Sequence, residues 1–149
     1  METMHTVNEI LDFAIGEEEK SMQFYTNLAQ NAEPAMKAVF EGFAVEERGH
    51  KQKLQAVKDG ATFSPPKSKI QDLRLADYLV DVEASPEMPY EDALIVAMKR
   101  EKAAFRLYTT LADVSDDEAV RNVLLAIAQE EAKHKLRFEV EYDDSLSHQ

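Results

Sequence analysis

The sequence predicts an all-α protein, a four-helix bundle of two antiparallel helical hairpins joined by a long crossover. Apolar residues recur every three or four positions in four long stretches, which is the helical period. The two halves of the chain also repeat each other. No stretch shows the alternation of apolar and polar residues that a half-buried strand requires. We treat residues 1–149 as a single domain, because this length suits one hydrophobic core.

The internal repeat aligns residues that carry chemistry. A shift of 83 residues applies to the first helix of each half, and a shift of 84 applies to the second. The aligned pairs include Glu18 with Glu101, Tyr25 with Tyr108, Glu47 with Glu131, and His50 with His134. The halves are therefore interpreted as duplicated helical hairpins.

The helix boundaries follow from capping signals and turn residues. The predicted helices span residues 6–30, 34–59, 89–113 and 116–141. Pro34 suits the first turn of a helix, and Ser115 with Glu118 fits the capping box that begins one. Because only a few residues join the helices within each hairpin, both hairpins are expected to be antiparallel. Residues 61–88 form the crossover, which is long enough to run back along the bundle.

Composition and charge exclude several classes of function. Lys and Arg number 17 against 29 Asp and Glu, and the net charge of −12 has the wrong sign for binding the phosphate backbone of nucleic acid. The chain has no cysteine, so any metal must be held by histidine and carboxylates. No apolar run approaches the ~18 residues of a membrane span. We expect a cytoplasmic protein without nucleic-acid or membrane partners.

Four glutamates interrupt the apolar stripes that face the predicted core: Glu18, Glu47, Glu101 and Glu131. An isolated buried carboxylate is costly or becomes protonated, so four that face one another require a cation. His50 and His134 each follow one of these glutamates by three residues, and such a pair projects from one face of a helix. The six side chains predict a site for two divalent metal ions, whose charge would balance the four carboxylates.

One Glu from each of two helices, with Glu-x-x-His from each of the other two, is the ligand set of the di-iron and di-manganese bundles of ferritin-like fold. The sequence resembles the rubrerythrin branch of these proteins over residues 6–140. The resemblance rests on the two Glu-x-x-His motifs and on two Glu-x6-Tyr motifs, Glu18 to Tyr25 and Glu101 to Tyr108. It implies a ferritin-like fold and two iron ions as cofactor, with manganese or a mixed pair left open.

The resemblance also implies a role for each ligand. Glu47 and Glu131 would bridge the two metals. One metal would take Glu18 and His50 as its other ligands, and the second would take Glu101 and His134. Tyr25 and Tyr108 are either core aromatics or hydrogen-bond donors to metal-bound carboxylates. The glutamates adjacent to the ligands are expected to form a solvated face: Glu17, Glu19, Glu46 and Glu130.

Two features separate the sequence from full rubrerythrins. Those proteins carry a rubredoxin domain with iron held by four cysteines, which this cysteine-free chain lacks, so an external electron donor such as a separate rubredoxin is expected. Rubrerythrins also carry an additional carboxylate where this sequence has Ala104, and Ser21 is the matching position in the first half. The remaining ligand set is more symmetric and closer to that of bacterioferritin.

The function that the resemblance implies is reduction of hydrogen peroxide or O2 with oxidation of bound Fe(II), in oxidative-stress defence or iron handling. Two alternatives stay open. One is an iron-binding or storage protein with a ferroxidase step and no peroxidase turnover, and the other is a bundle that binds metal for structure alone. About ten residues follow the fourth predicted helix, too few for the additional helix of classical ferritins, so a homodimer is expected rather than a cage.

Overall fold

Four long helices make up the part of the chain that the computed structural model describes, residues 7–60 and 88–147. They are α1 (Val7–Gln30), α2 (Pro34–Gly60), α3 (Tyr90–Val114) and α4 (Glu118–Ser147). These residues contain no strand, and the predicted all-α class is confirmed. Residues 61–87 of the predicted crossover lie outside the described residues, as does the start predicted for α1 at residue 6. The largest difference in a boundary is the end of α4, six residues beyond the predicted 141.

The helices pack mainly as two hairpins, α1 against α2 and α3 against α4. Three residues, 31–33, join α1 to α2, and a link this short makes the two helices antiparallel. Contacts between α1 and α3 and between α2 and α4 hold the hairpins together. Among residues 7–60 and 88–147, no helix is both long enough and apolar enough to cross a membrane.

Two apolar clusters divide the core along the bundle axis. One contains side chains near the start of α1 and the end of α2, including Leu11 and Leu54, and the other contains side chains near the end of α1 and the start of α2, including Leu28 and Phe40. The middle of every helix lies between the clusters. A polar layer placed there is enclosed by hydrocarbon at both ends.

The turn between α3 and α4 corrects one predicted cap. Asp117, rather than Ser115, caps α4, because its Oδ1 accepts a hydrogen bond of 3.1 Å from the backbone N–H of Val120. The hydroxyl of Ser115 instead donates to the backbone carbonyl of Asp117. Arg121 donates to the carbonyls of Ala112 and Ser115, which satisfies acceptors at the end of α3 that have no partner within the helix.

Candidate metal centre

The six predicted ligands all lie in the polar layer between the two apolar clusters. Each occupies the middle of its helix, and none is more than 2% exposed: Glu18 on α1, Glu47 and His50 on α2, Glu101 on α3, and Glu131 and His134 on α4. These side chains follow the same helical spacing as the apolar residues on either side of them. The spacing that builds the core therefore also directs them inward.

The oxygen and nitrogen atoms of these residues that could bind a metal form two groups. The first consists of Glu18, Glu47, His50 and Glu131, and the second consists of Glu47, Glu101, Glu131 and His134. Within each group, one atom from each residue lies within 4.8 Å of all the others. Glu47 and Glu131 belong to both groups, so the two groups are adjacent and share two carboxylates.

Both imidazole rings turn Nδ1 toward the centre. The Nδ1 of His50 lies 3.1 Å from Glu131 and 3.6 Å from both Glu18 and Glu47. The Nδ1 of His134 lies 3.2 Å from Glu47, and its other carboxylate neighbours are slightly more distant. Each ring thus offers the same nitrogen to its own group of carboxylates.

The outer nitrogen of each ring contacts a glutamate on the opposite hairpin. His50 Nε2 on α2 is paired with Glu130 Oε2 on α4, and His134 Nε2 on α4 is paired with Glu46 Oε2 on α2. These contacts correct the prediction that Glu46 and Glu130 belong to a face exposed only to solvent. Glu46 and Glu130 keep 50% and 39% of their side chains exposed, but their carboxylates reach the buried rings.

The two tyrosines of the Glu-x6-Tyr motifs are buried and also reach across the bundle. The Tyr108 hydroxyl on α3 donates a 2.5 Å hydrogen bond to Glu18 on α1, and the Tyr25 hydroxyl on α1 donates to Glu101 on α3. Each hydroxyl binds the glutamate of the opposite half, and not the one seven residues before it. These side chains are therefore core aromatics that also orient carboxylates.

Buried polar atoms without partners indicate what the centre can hold. Each of the six residues has at least one buried oxygen or nitrogen atom with no hydrogen-bond partner, and for His50 and His134 that atom is Nδ1. A buried acceptor left unsatisfied costs about 1–3 kcal/mol. Carboxylate oxygens and imidazole nitrogens are ligands that iron and manganese accept. The donor set therefore fits a pair of divalent cations.

Electrostatics of the metal-free centre are dominated by burial and by the crowding of like charges. Burial raises the pKa of Glu18 and Glu131 well above the usual range, and the charge of neighbouring carboxylates adds to this effect. Burial also raises the pKa of Glu101. For Glu47, burial again favours the neutral form, but hydrogen bonds with His134 and with the carboxyl groups of Glu18 and Glu131 together outweigh burial and lower the pKa to about 2. For His134, burial opposes the charged ring, but the surrounding carboxylates raise its pKa to about 11.

A small cavity lies beside the centre, between α1 and α3. Its volume is about 20 Å³, which is enough for one water-sized molecule. Ser21, Ala104 and the half-buried Arg100 line one part of it, and Glu18 and Glu131 line the part next to the centre. The cavity thus extends to two of the six predicted ligands.

A four-helix bundle that buries two Glu-x-x-His motifs and two further glutamates at one level has the architecture of the ferritin-like di-iron carboxylate proteins. The chain belongs to the rubrerythrin family, whose family model matches residues 9–142. The resemblance seen in the motifs is thereby confirmed.

Two solved structures share this fold along nearly the whole chain. One comes from Thermotoga maritima and is described as that of a candidate ferritin-like diiron-carboxylate protein; it is 21% identical, with a TM-score of 0.81, and the match covers 97% of this chain and 99% of that one. The other is a hypothetical protein from Pyrococcus furiosus, 22% identical, with a TM-score of 0.76 and coverage of 95% and 91%. No curated protein matches the chain.

Proposed function

We propose that this protein is a non-haem di-iron oxidoreductase that reduces hydrogen peroxide or O2 with electrons from bound Fe2+, in oxidative-stress defence or iron handling. One observation carries the proposal: two adjacent groups of buried carboxylate and imidazole ligands share Glu47 and Glu131. In this proposal Glu47 and Glu131 would each be a ligand to both metals. The resident cofactor is two iron ions, and an external donor returns them to Fe2+.

When bound, a pair of Fe2+ ions would supply the two electrons that, with two protons, convert one hydrogen peroxide into two waters. The chain's own contribution is to hold and orient the ligands. The hydroxyls of Tyr25 and Tyr108 fix Glu101 and Glu18 by hydrogen bonds, and the apolar clusters on either side limit the access of water. A preorganised, enclosed site of this kind keeps its ligand geometry while the charge at the site changes.

The cavity between α1 and α3 suits a small oxidant. Its volume of about 20 Å³ excludes a large organic substrate, since pockets for such ligands are typically ~300 Å³ or more. Glu18 and Glu131 form its inner wall. We therefore propose hydrogen peroxide or O2, rather than an organic molecule, as the substrate.

The proposal is tested by mixing Fe2+-loaded protein with hydrogen peroxide in the absence of O2. We expect the chain to consume one peroxide for every two Fe2+ oxidised, with stopped-flow absorbance following iron oxidation and a colorimetric assay measuring the remaining peroxide. Glu131→Gln should lose the reaction, whereas Glu41→Gln, at an exposed position of α2, should retain it. Two bound Fe2+ that fail to react with both peroxide and O2 would contradict the proposal.

The same measurements distinguish the proposed oxidoreductase from the alternative, an iron-storage protein. A storage protein would oxidise Fe2+ well beyond two ions per chain and keep the product soluble. Size-exclusion chromatography would then show an assembly of many hundreds of kilodaltons. A dimer that stops at two Fe2+ per chain would support the oxidoreductase.

Metal binding is expected to release protons. In the metal-free protein the raised pKa values of Glu18 and Glu131 favour the protonated carboxyl groups, and the pKa of about 11 keeps the His134 ring charged at pH 7. A metal requires the deprotonated forms, so its affinity should fall as the pH falls. Calorimetric titration with Mn2+ in two buffers of different ionisation enthalpy should reveal a net release of protons on binding. Equal heats in both buffers would contradict this prediction.

A further inference from the structure

Glu46 and Glu130 are the part of the site that the proposed ligand set leaves out. They precede Glu47 and Glu131 in the sequence and superimpose on each other in the internal repeat, with a shift of 84 residues. Each carboxylate contacts the Nε2 atom of a buried histidine on the other hairpin. The arrangement therefore occurs twice, once for each group of ligands.

The contact determines which nitrogen of the ring can bind a metal. An ionised carboxylate only accepts hydrogen bonds, so Nε2 must carry a proton and donate it to the glutamate. In the neutral ring this leaves the lone pair on Nδ1. Nδ1 of His50 and of His134 is the atom that faces the carboxylates of the centre and has no hydrogen-bond partner.

The contact also crosses between the two hairpins. Glu46 on α2 orients His134 on α4, whose group includes Glu101, whereas Glu130 on α4 orients His50 on α2, whose group includes Glu18. The ring of His134 is further constrained by Phe43, which stacks on it at 4.0 Å between ring centroids. Each half of the centre thus depends on a glutamate contributed by the other hairpin.

We propose that Glu46 and Glu130 are positioning residues, each of which fixes the histidine of one metal position from the opposite hairpin and so controls the affinity of that position alone. The proposal rests on the metal centre of the proposed function. Carboxylates that hold a ligand histidine in this way typically contribute 10–100-fold to metal affinity.

The test is equilibrium titration of the metal-free full chain with Mn2+, with free Mn2+ measured by electron paramagnetic resonance. We expect Glu46→Ala to weaken one of two bound Mn2+ ions by about 10–100-fold and to leave the other nearly unchanged. Glu130→Ala should do the same to the other ion. Glu46→Gln keeps the size of the side chain and an acceptor oxygen, so it should have a smaller effect. Glu41→Ala on the exposed face of α2 is the matched control.

A double-mutant cycle identifies the position affected. Glu46→Ala should add little to His134→Ala, because both act on one ion, but it should act independently of His50→Ala. A merely structural role would weaken both ions equally and would lower the melting temperature of the metal-free protein. That result, or unchanged Mn2+ affinity in both Glu46→Ala and Glu130→Ala, would overturn the positioning role while leaving the metal centre intact. A wild-type chain that binds no Mn2+ would overturn both.

Discussion

Glu131→Ala is expected to reduce the metal content of the purified protein from two ions per chain to fewer than one. Glu131 belongs to both groups of ligands, and its Oε1 is a buried acceptor without a hydrogen-bond partner. Its removal takes a carboxylate from both positions at once. Metal analysis by mass spectrometry after removal of loosely bound ions measures the effect.

Glu18→Ala provides the contrast, because Glu18 belongs to only one group. This variant should lose one ion and keep the other. Glu41→Ala, at an exposed position, should keep both. Two tightly bound ions in Glu131→Ala would contradict the assignment of Glu131 as a bridge, whatever the result for Glu18.

Removal of the metal is expected to lower the melting temperature by roughly 10 °C or more. A ligand present at a thousand times its Kd stabilises the folded state by about 4 kcal/mol, and each kcal/mol corresponds to about 2–4 °C for a chain of this size or somewhat larger. Without metal, the four glutamates remain at most 2% exposed, so the chain must protonate them or bear the cost of their charge. Calorimetry with and without a chelator measures the difference.

The double variant Glu47→Gln with Glu131→Gln is the control for this effect. It replaces the two shared carboxylates by neutral groups of the same size, so it should bind metal weakly and its melting temperature should no longer respond to the chelator. A wild-type melting temperature that is unchanged by a chelator would count against a buried metal centre. A variant that still responds would indicate that the chelator acts elsewhere on the protein.

The contact between Glu46 and His134 was not predicted from the sequence. The position of Glu46 beside Glu47 indicated a solvated face, since it lies about 100° around the helix, and half of its side chain is indeed exposed. Only the approach of α4 brings the His134 ring within its reach. The internal repeat did contain a signal that these glutamates have a common role, because Glu46 and Glu130 superimpose in the two halves. The choice of Asp117 over Ser115 as a cap was missed for a similar reason, since both residues precede Glu118 and either side chain type can cap a helix.

The sequence by itself determined the four helices and the inward direction of the six candidate ligand side chains. Both depend on spacing along one helix, which sets the direction in which each side chain points. Tertiary structure alone decided which residues meet: Tyr25 with Glu101, Glu46 with His134, and the cavity beside Ala104. These contacts depend on the axial position of one helix relative to another and on its rotation about its own axis. Side-chain packing between the hairpins sets both quantities, and no spacing within a single helix encodes them.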